Sequence, residues 1–107
     1  MDAQVKKGLL EYCVLAELQK KESYGYQIIR DLSVCIEISE STLYPILRRL
    51  ESGGYVDTHN VEYHNRIRKY YRITDAGRKH LEQFISEQDQ LLQVIAFISG
   101  KDVEKHE

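Results

Sequence analysis

Tryptophan is absent from the 107 residues, proline occurs once, and there are only two cysteines, two phenylalanines and one methionine. Cys13 and Cys35 form no C-x-x-C pair and share no Cys/His ligand spacing, which excludes a zinc ribbon and a disulfide scaffold. Both are expected to be inert small hydrophobes in apolar surroundings, with a redox switch as the alternative. The histidines His59, His64, His80 and His106 are scattered, with no nucleophile, metal or glycine-rich phosphate pattern beside them. No enzyme activity, metal or cofactor is therefore expected. No apolar run approaches the roughly 20 residues of a membrane span, and no basic-then-apolar signal segment opens the chain, so a cytoplasmic protein with no membrane partner is expected.

Charge of one sign is also lacking overall, because the net charge is only −2. Any concentration of positive charge is then a local feature. With 30% charged and 42% hydrophobic residues, the composition is that of a soluble folded chain. At this length it makes one small domain with a limited core, and an apolar seam closed by a partner is expected.

What is present centres on residues 38–74. Leu43, Ile46, Leu47 and Leu50 follow the i, i+3, i+4, i+7 spacing of a helix with one buried face. Ser39 is the expected N-cap; Gly53 and Gly54 end the helix, with Gly53 expected in the left-handed cap conformation. The opposite face carries Ser41, Pro45, Arg48 and Ser52, flanked by Thr42, Tyr44 and Arg49. A helix that only covers a core more often shows Glu and Lys there. Small hydroxyls let a backbone approach DNA, and Arg pairs with guanine edges or phosphates. A solvated surface is the bland alternative. Pro45 implies a loosened or kinked first turn, or else a shorter helix that begins at the proline.

Two strand-like runs follow, Tyr55 to Tyr63 and Arg68 to Ile73, joined by a turn-prone tip of His64, Asn65 and Arg66. From His64 to Ile73 the chain carries Arg66, Arg68, Lys69 and Arg72 and no acid. An amphipathic helix followed by a basic hairpin is the order of parts in a winged helix-turn-helix. The expected fold is mainly α with a small β-hairpin, and the expected partner is double-stranded DNA. Recognition-helix contacts are expected from Ser39, Ser41, Thr42, Tyr44, Pro45, Arg48 and Arg49. The wing contributes His64, Asn65, Arg66, Arg68 and Lys69.

The flanking segments supply helices. From Lys6 or Lys7 to Lys20, one stripe is Leu9, Tyr12, Cys13 and Ala16 and another is Leu10, Val14 and Leu18, so this helix is covered from two directions. Lys6 and Lys7 are in reach of phosphates or are ordinary surface lysines. Ser23 is expected to cap a second helix through about Val34, with Tyr24, Ile28 and Leu32 buried. Thr74 should cap a last helix that runs to about Ser99. Its seam of Leu81, Phe84, Gln88, Leu91, Ile95 and Ile98 has coiled-coil spacing, widened by Ile85, Leu92 and Ala96. Gln88 either fixes register with its mate or marks a loose point. The expected division is 1–75 DNA-binding, 76–100 dimerisation helix and 101–107 flexible tail.

The run S-T-L-Y-P-I-L-R-R-L-E-S-G-G-Y-V and the later R-K-Y-Y-R-I-T-D-A-G resemble the PadR family of bacterial transcriptional regulators. Thr42, Leu43, Tyr44, Pro45, Leu47, Leu50, Glu51 and Gly54 match the first family signature, and Arg68, Tyr70, Tyr71, Ile73, Thr74 and Gly77 match the second. Tyr24-Gly25-Tyr26 with Ile28 and Ile29 resembles a third, although Tyr24 stands where the family commonly has histidine. The resemblance covers about residues 6 to 80. It implies a winged helix homodimer that binds an operator, usually as a repressor. It also implies an option for a small aromatic or apolar effector between subunits, for which Tyr12, Phe84 and Phe97 are the available aromatics. A winged helix that binds protein instead of DNA is the alternative.

Overall fold

The computed structural model describes residues 1–101, so the expected tail falls, apart from Lys101, outside the described residues. The order is α1 (Ala3–Lys20), β1 (Ser23–Tyr24), α2 (Gly25–Leu32), α3 (Glu40–Ser52), β2 (Val56–Tyr63), β3 (Arg66–Ile73) and α4 (Asp75–Ile98). The three strands form an antiparallel sheet in the order β1-β3-β2. A helix-turn-helix followed by a strand pair, with a third short strand closing the sheet, is a winged helix.

The core is one cluster. Leu10, Val14, Leu15 and Leu18 of α1 meet Ile28 and Leu32 of α2, the whole expected stripe of α3, and Val56, Tyr71, Ile73 and Leu81. On α1 it is the Leu10, Val14, Leu18 stripe that is buried, joined by Leu15. Leu9, Tyr12 and Cys13 are half-buried and Ala16 is exposed.

Helix α3 begins as expected, the Ser39 hydroxyl accepting from the Thr42 amide at 3.3 Å. Pro45 lies inside the helix, so the helix does not begin at the proline, and the Ser41 carbonyl forgoes its usual donor. The exit differs by one residue from expectation. Gly53 has φ −80° and Gly54 has φ +80°. The Tyr55 amide donates to the Leu50 carbonyl and the Gly54 amide to that of Glu51, a Schellman arrangement that needs the left-handed residue one place after the cap.

The wing strands also start and turn differently. β3 begins at Arg66, not Arg68, and Tyr63 pairs with Arg66 across a turn of two residues. His64 and Asn65 both have positive φ, 50° and 63°, the pair of conformations that matches the twist of a hairpin.

Ser23 does not cap α2. It pairs with Tyr71 in β1, extended and buried, and its Oγ has no partner; the N-cap is Tyr24, which makes no side-chain cap bond. α2 stops at Leu32, two residues before the expected end, which leaves Val34 and Cys35 exposed in the connection to α3. Cys35 is therefore not a core hydrophobe. Cys13 is half-buried, and burial, with Cys35 nearby, raises its thiol pKa.

Helix α4 is anchored by Thr74, whose Oγ1 accepts from the Gly77 amide at 3.0 Å and donates to the Gly54 carbonyl at 2.7 Å. It ends at Ile98 with Ser99 as the cap, as expected. Only its first turns pack on the core. Ile85, Leu91, Leu92, Val94, Ile95, Phe97 and Ile98 are 46 to 76% exposed, along an arm that stretches the molecule to 61 Å. No helix among the described residues is long and apolar enough to cross a membrane.

Candidate nucleic-acid interface

The outer face of α3 starts with a hydroxyl cluster. Ser39 Oγ lies 3.0 Å from Ser41 Oγ and donates to Thr42 Oγ1 at 3.2 Å, and all three residues are exposed. Arg48, Arg49 and Ser52 continue the exposed face, with Pro45 half-buried between them. Tyr44 is turned aside. Its ring lies on Gly25 at the start of α2, where any Cβ would collide with the phenol oxygen, so glycine there lets the two helices approach.

Strand alternation sorts the positive residues of the wing. Ile67, Lys69, Tyr71 and Ile73 face the helices, and Arg66, Arg68, Tyr70 and Arg72 face away. Lys69 accordingly reaches Glu51 of α3, Nζ to Oε1 at 3.5 Å, and Arg72 pairs across the strands with Asp57 at 3.0 Å. Both are ion-paired in this state, with acids that lie outside the acid-free run from His64 to Ile73. Among the described residues Arg48, Arg66 and Arg68 have no carboxylate within ion-pair distance. Arg68 is held by aromatic faces instead, its guanidinium carbon 4.2 Å over the Tyr24 ring and 4.1 Å over that of Tyr63. Stacking fixes the plane and leaves the N–H edges available for an anion.

Between α2, α3 and the wing lies a depression of about 510 Å³. Tyr24, Tyr26, Arg30, Tyr44, Arg68 and Lys69 are among its walls. Arg30, four residues after Tyr26 on α2, sits over that ring at 5.9 Å. Arg30 was not among the residues expected from sequence, although the i, i+4 aromatic–Arg spacing was a readable signal. The uncapped first turn of α2 adds amide donors to the same side. Burial first, then Tyr44 and Glu51, raises the Tyr71 phenol pKa, so it remains a neutral group beside these cations.

An aromatic column ties α4 to α1 and to the connection between α3 and β2. Tyr55 stacks on His80 at 4.1 Å, and Tyr12 stacks on Phe84 at 3.8 Å. His80 Nε2 lies 2.8 Å from Glu11 Oε2, and the other oxygen of Glu11 is 3.9 Å from Arg49. The three aromatics expected to line an effector site do not converge within one chain. Tyr12 and Phe84 cover each other's faces, while Phe97 lies 13 residues further along α4, about 20 Å away.

The family model described as "Transcriptional regulator PadR-like family" matches residues 14–83, which includes the helix-turn-helix, the wing and the root of the arm. The chain belongs to the PadR-like family of transcriptional regulators. This PadR-like chain is 30% identical over 81 residues to a transcriptional regulator of Mycobacterium tuberculosis, covering 75% of this chain and 76% of the relative. A transcriptional regulator from Clostridium thermocellum is similar in structure, with TM-score 0.80 and 32% identity over 89% of this chain and 94% of that one. Bacillus subtilis PadR, solved in complex with operator DNA, matches with TM-score 0.65 and 27% identity over 72% of this chain and 45% of its own. Family membership makes this a regulator and not an enzyme.

Proposed function

We propose that this PadR-like regulator is a homodimeric repressor, with residues 1–75 as the DNA-binding unit and 76–100 as the dimerisation helix. The supporting observation is the pairing of two unsatisfied surfaces on one chain. One is the hydroxyl-and-guanidinium face of α3 beside Arg66 and Arg68; the other is the apolar arm of α4. The arm stands half exposed from Ile85 to Ile98, an area that water solvates poorly and a second arm would cover. Two-fold pairing of arms would present two α3 helices to successive major grooves, about 34 Å apart, on a pseudo-palindromic site.

In this arrangement Ser41, Thr42 and Arg48 face the DNA, and Arg66 and Arg68 follow the backbone, with His64 and Asn65 at the wing tip. Lys69 would join them only by leaving Glu51. The operator-bound B. subtilis relative supports the DNA reading. A gel-shift titration against the region upstream of the protein's own gene, with excess unrelated duplex, tests it; a complex that the unrelated duplex removes as easily as the upstream region does would count against a specific repressor. A flat apolar effector would need the second arm to complete its site, since in one chain Tyr12 and Phe84 stack on each other and Phe97 lies far along α4. Saturable displacement of a bound dye, coupled to loss of the shifted band, tests that part.

A further inference from the structure

We infer that the start of α1 is part of the DNA contact, with Lys7, Arg49, Ser41 and Thr42 forming a seat for a backbone phosphate on the flank of α3 away from the wing. This rests on the DNA-binding reading above. At about 100° per residue, Tyr44, Arg48 and Glu51 mark the wing flank of α3, and Thr42, Pro45 and Arg49 lie roughly 130° round the helix from them. The exposed residues Ser41, Arg48 and Ser52 run along the face between the two flanks. A helix with its side chains nearly fills a major groove about 12 Å wide, so phosphates of both strands run beside it. The wing serves one strand only.

On the second flank α1 comes alongside. Lys7, Ser41, Thr42, Pro45 and Arg49 line a depression of about 410 Å³ whose walls include no carboxylate. Lys7 is exposed and, among the described residues, has no acid within ion-pair distance. Arg49 is held only loosely, at 3.9 Å from a Glu11 whose second oxygen is engaged by His80. It is free to turn toward a phosphate at small cost. Two cations and two hydroxyls around one recess are the donor set a phosphate diester takes. Lys6, one position back, is not among the walls of this recess; it borders a neighbouring one with Glu37, which Lys7 also touches.

The adjacent lysines supply the control. The full chain is titrated by fluorescence anisotropy with a labelled mixed-sequence duplex of about 30 base pairs across a range of KCl concentrations, and the slope of log K against log salt is read. The expected result is that Lys7→Gln weakens binding and lowers the slope by about 0.9 per protomer, as Arg66→Gln does in the wing, while Lys6→Gln changes neither. If Lys7→Gln matches the unmodified chain while Arg66→Gln lowers the slope, the seat is overturned and the DNA-binding reading stands. Equal losses in Lys6→Gln and Lys7→Gln also overturn it, because they show a general charge effect. Absence of salt-dependent binding by the unmodified chain removes both.

Discussion

Replacing Ile95 with Glu tests the arm. Ile95 is 50% exposed in the single chain, so about half of the stabilisation from burying its side chain is still available to a partner. Full burial of such a side chain contributes about 2 to 3 kcal/mol, which leaves about 1 to 1.5 kcal/mol per copy and about 2 to 3 kcal/mol for two symmetric copies. The introduced carboxylates add repulsion and desolvation across the seam, several kcal/mol if both are fully enclosed. A loss of about 3 kcal/mol already weakens association more than a hundredfold. Sedimentation equilibrium measures the dimer constant directly, and circular dichroism checks that the helix persists. The residue lies three to four turns beyond Leu81, the last buried contact, so the winged domain should keep its own stability. A variant whose dimer constant equals that of the unmodified chain would refute α4 as the seam at this level.

Three further outcomes follow from the packing and protonation described above. Thr74→Ala removes the cap on Gly77 and the bond to the Gly54 carbonyl, and should cost about 1 to 2 kcal/mol by urea denaturation. Burial raises the pKa of the Tyr12 and Tyr71 phenols and the Cys13 thiol, so the folded state holds these protons more tightly than the unfolded chain. Their contribution is then fully present below the ordinary range, about 8.5 for a thiol and about 10 for a phenol, and is lost as pH rises through the raised values; denaturation midpoints measured from neutral to alkaline pH should fall. Iodoacetamide at neutral pH should label exposed Cys35 well before Cys13, read by mass spectrometry of the intact chain and its peptides.

The parts that were legible in sequence are those fixed by local chemistry. All four expected apolar positions of α3 are buried, and Ser39 and Thr74 cap as their positions require. β1 was not legible, since two residues show no periodicity and Ser23–Tyr24 are strand only because Tyr70 and Tyr71 lie beside them. The same pairing took Ser23 away from the helix cap. At the site, the run from His64 to Ile73 holds four cations, but strand alternation turns Lys69 toward Glu51, so the free charge is smaller than the sequence count. Tyr44 carries an exposed-face position yet packs on Gly25, a contact between helices that their separate sequences do not specify. The arm was recognisable from its seam spacing, and its exposed apolar side chains are where a single chain leaves that spacing unpartnered.

DNase I protection of the region upstream of the protein's own gene tests the central claim most directly. Two protected half-sites related by a dyad, with centres about 10 base pairs apart and protected by one dimer, are the predicted result. Uniform or absent protection at protein concentrations where the dimer is fully formed would contradict it.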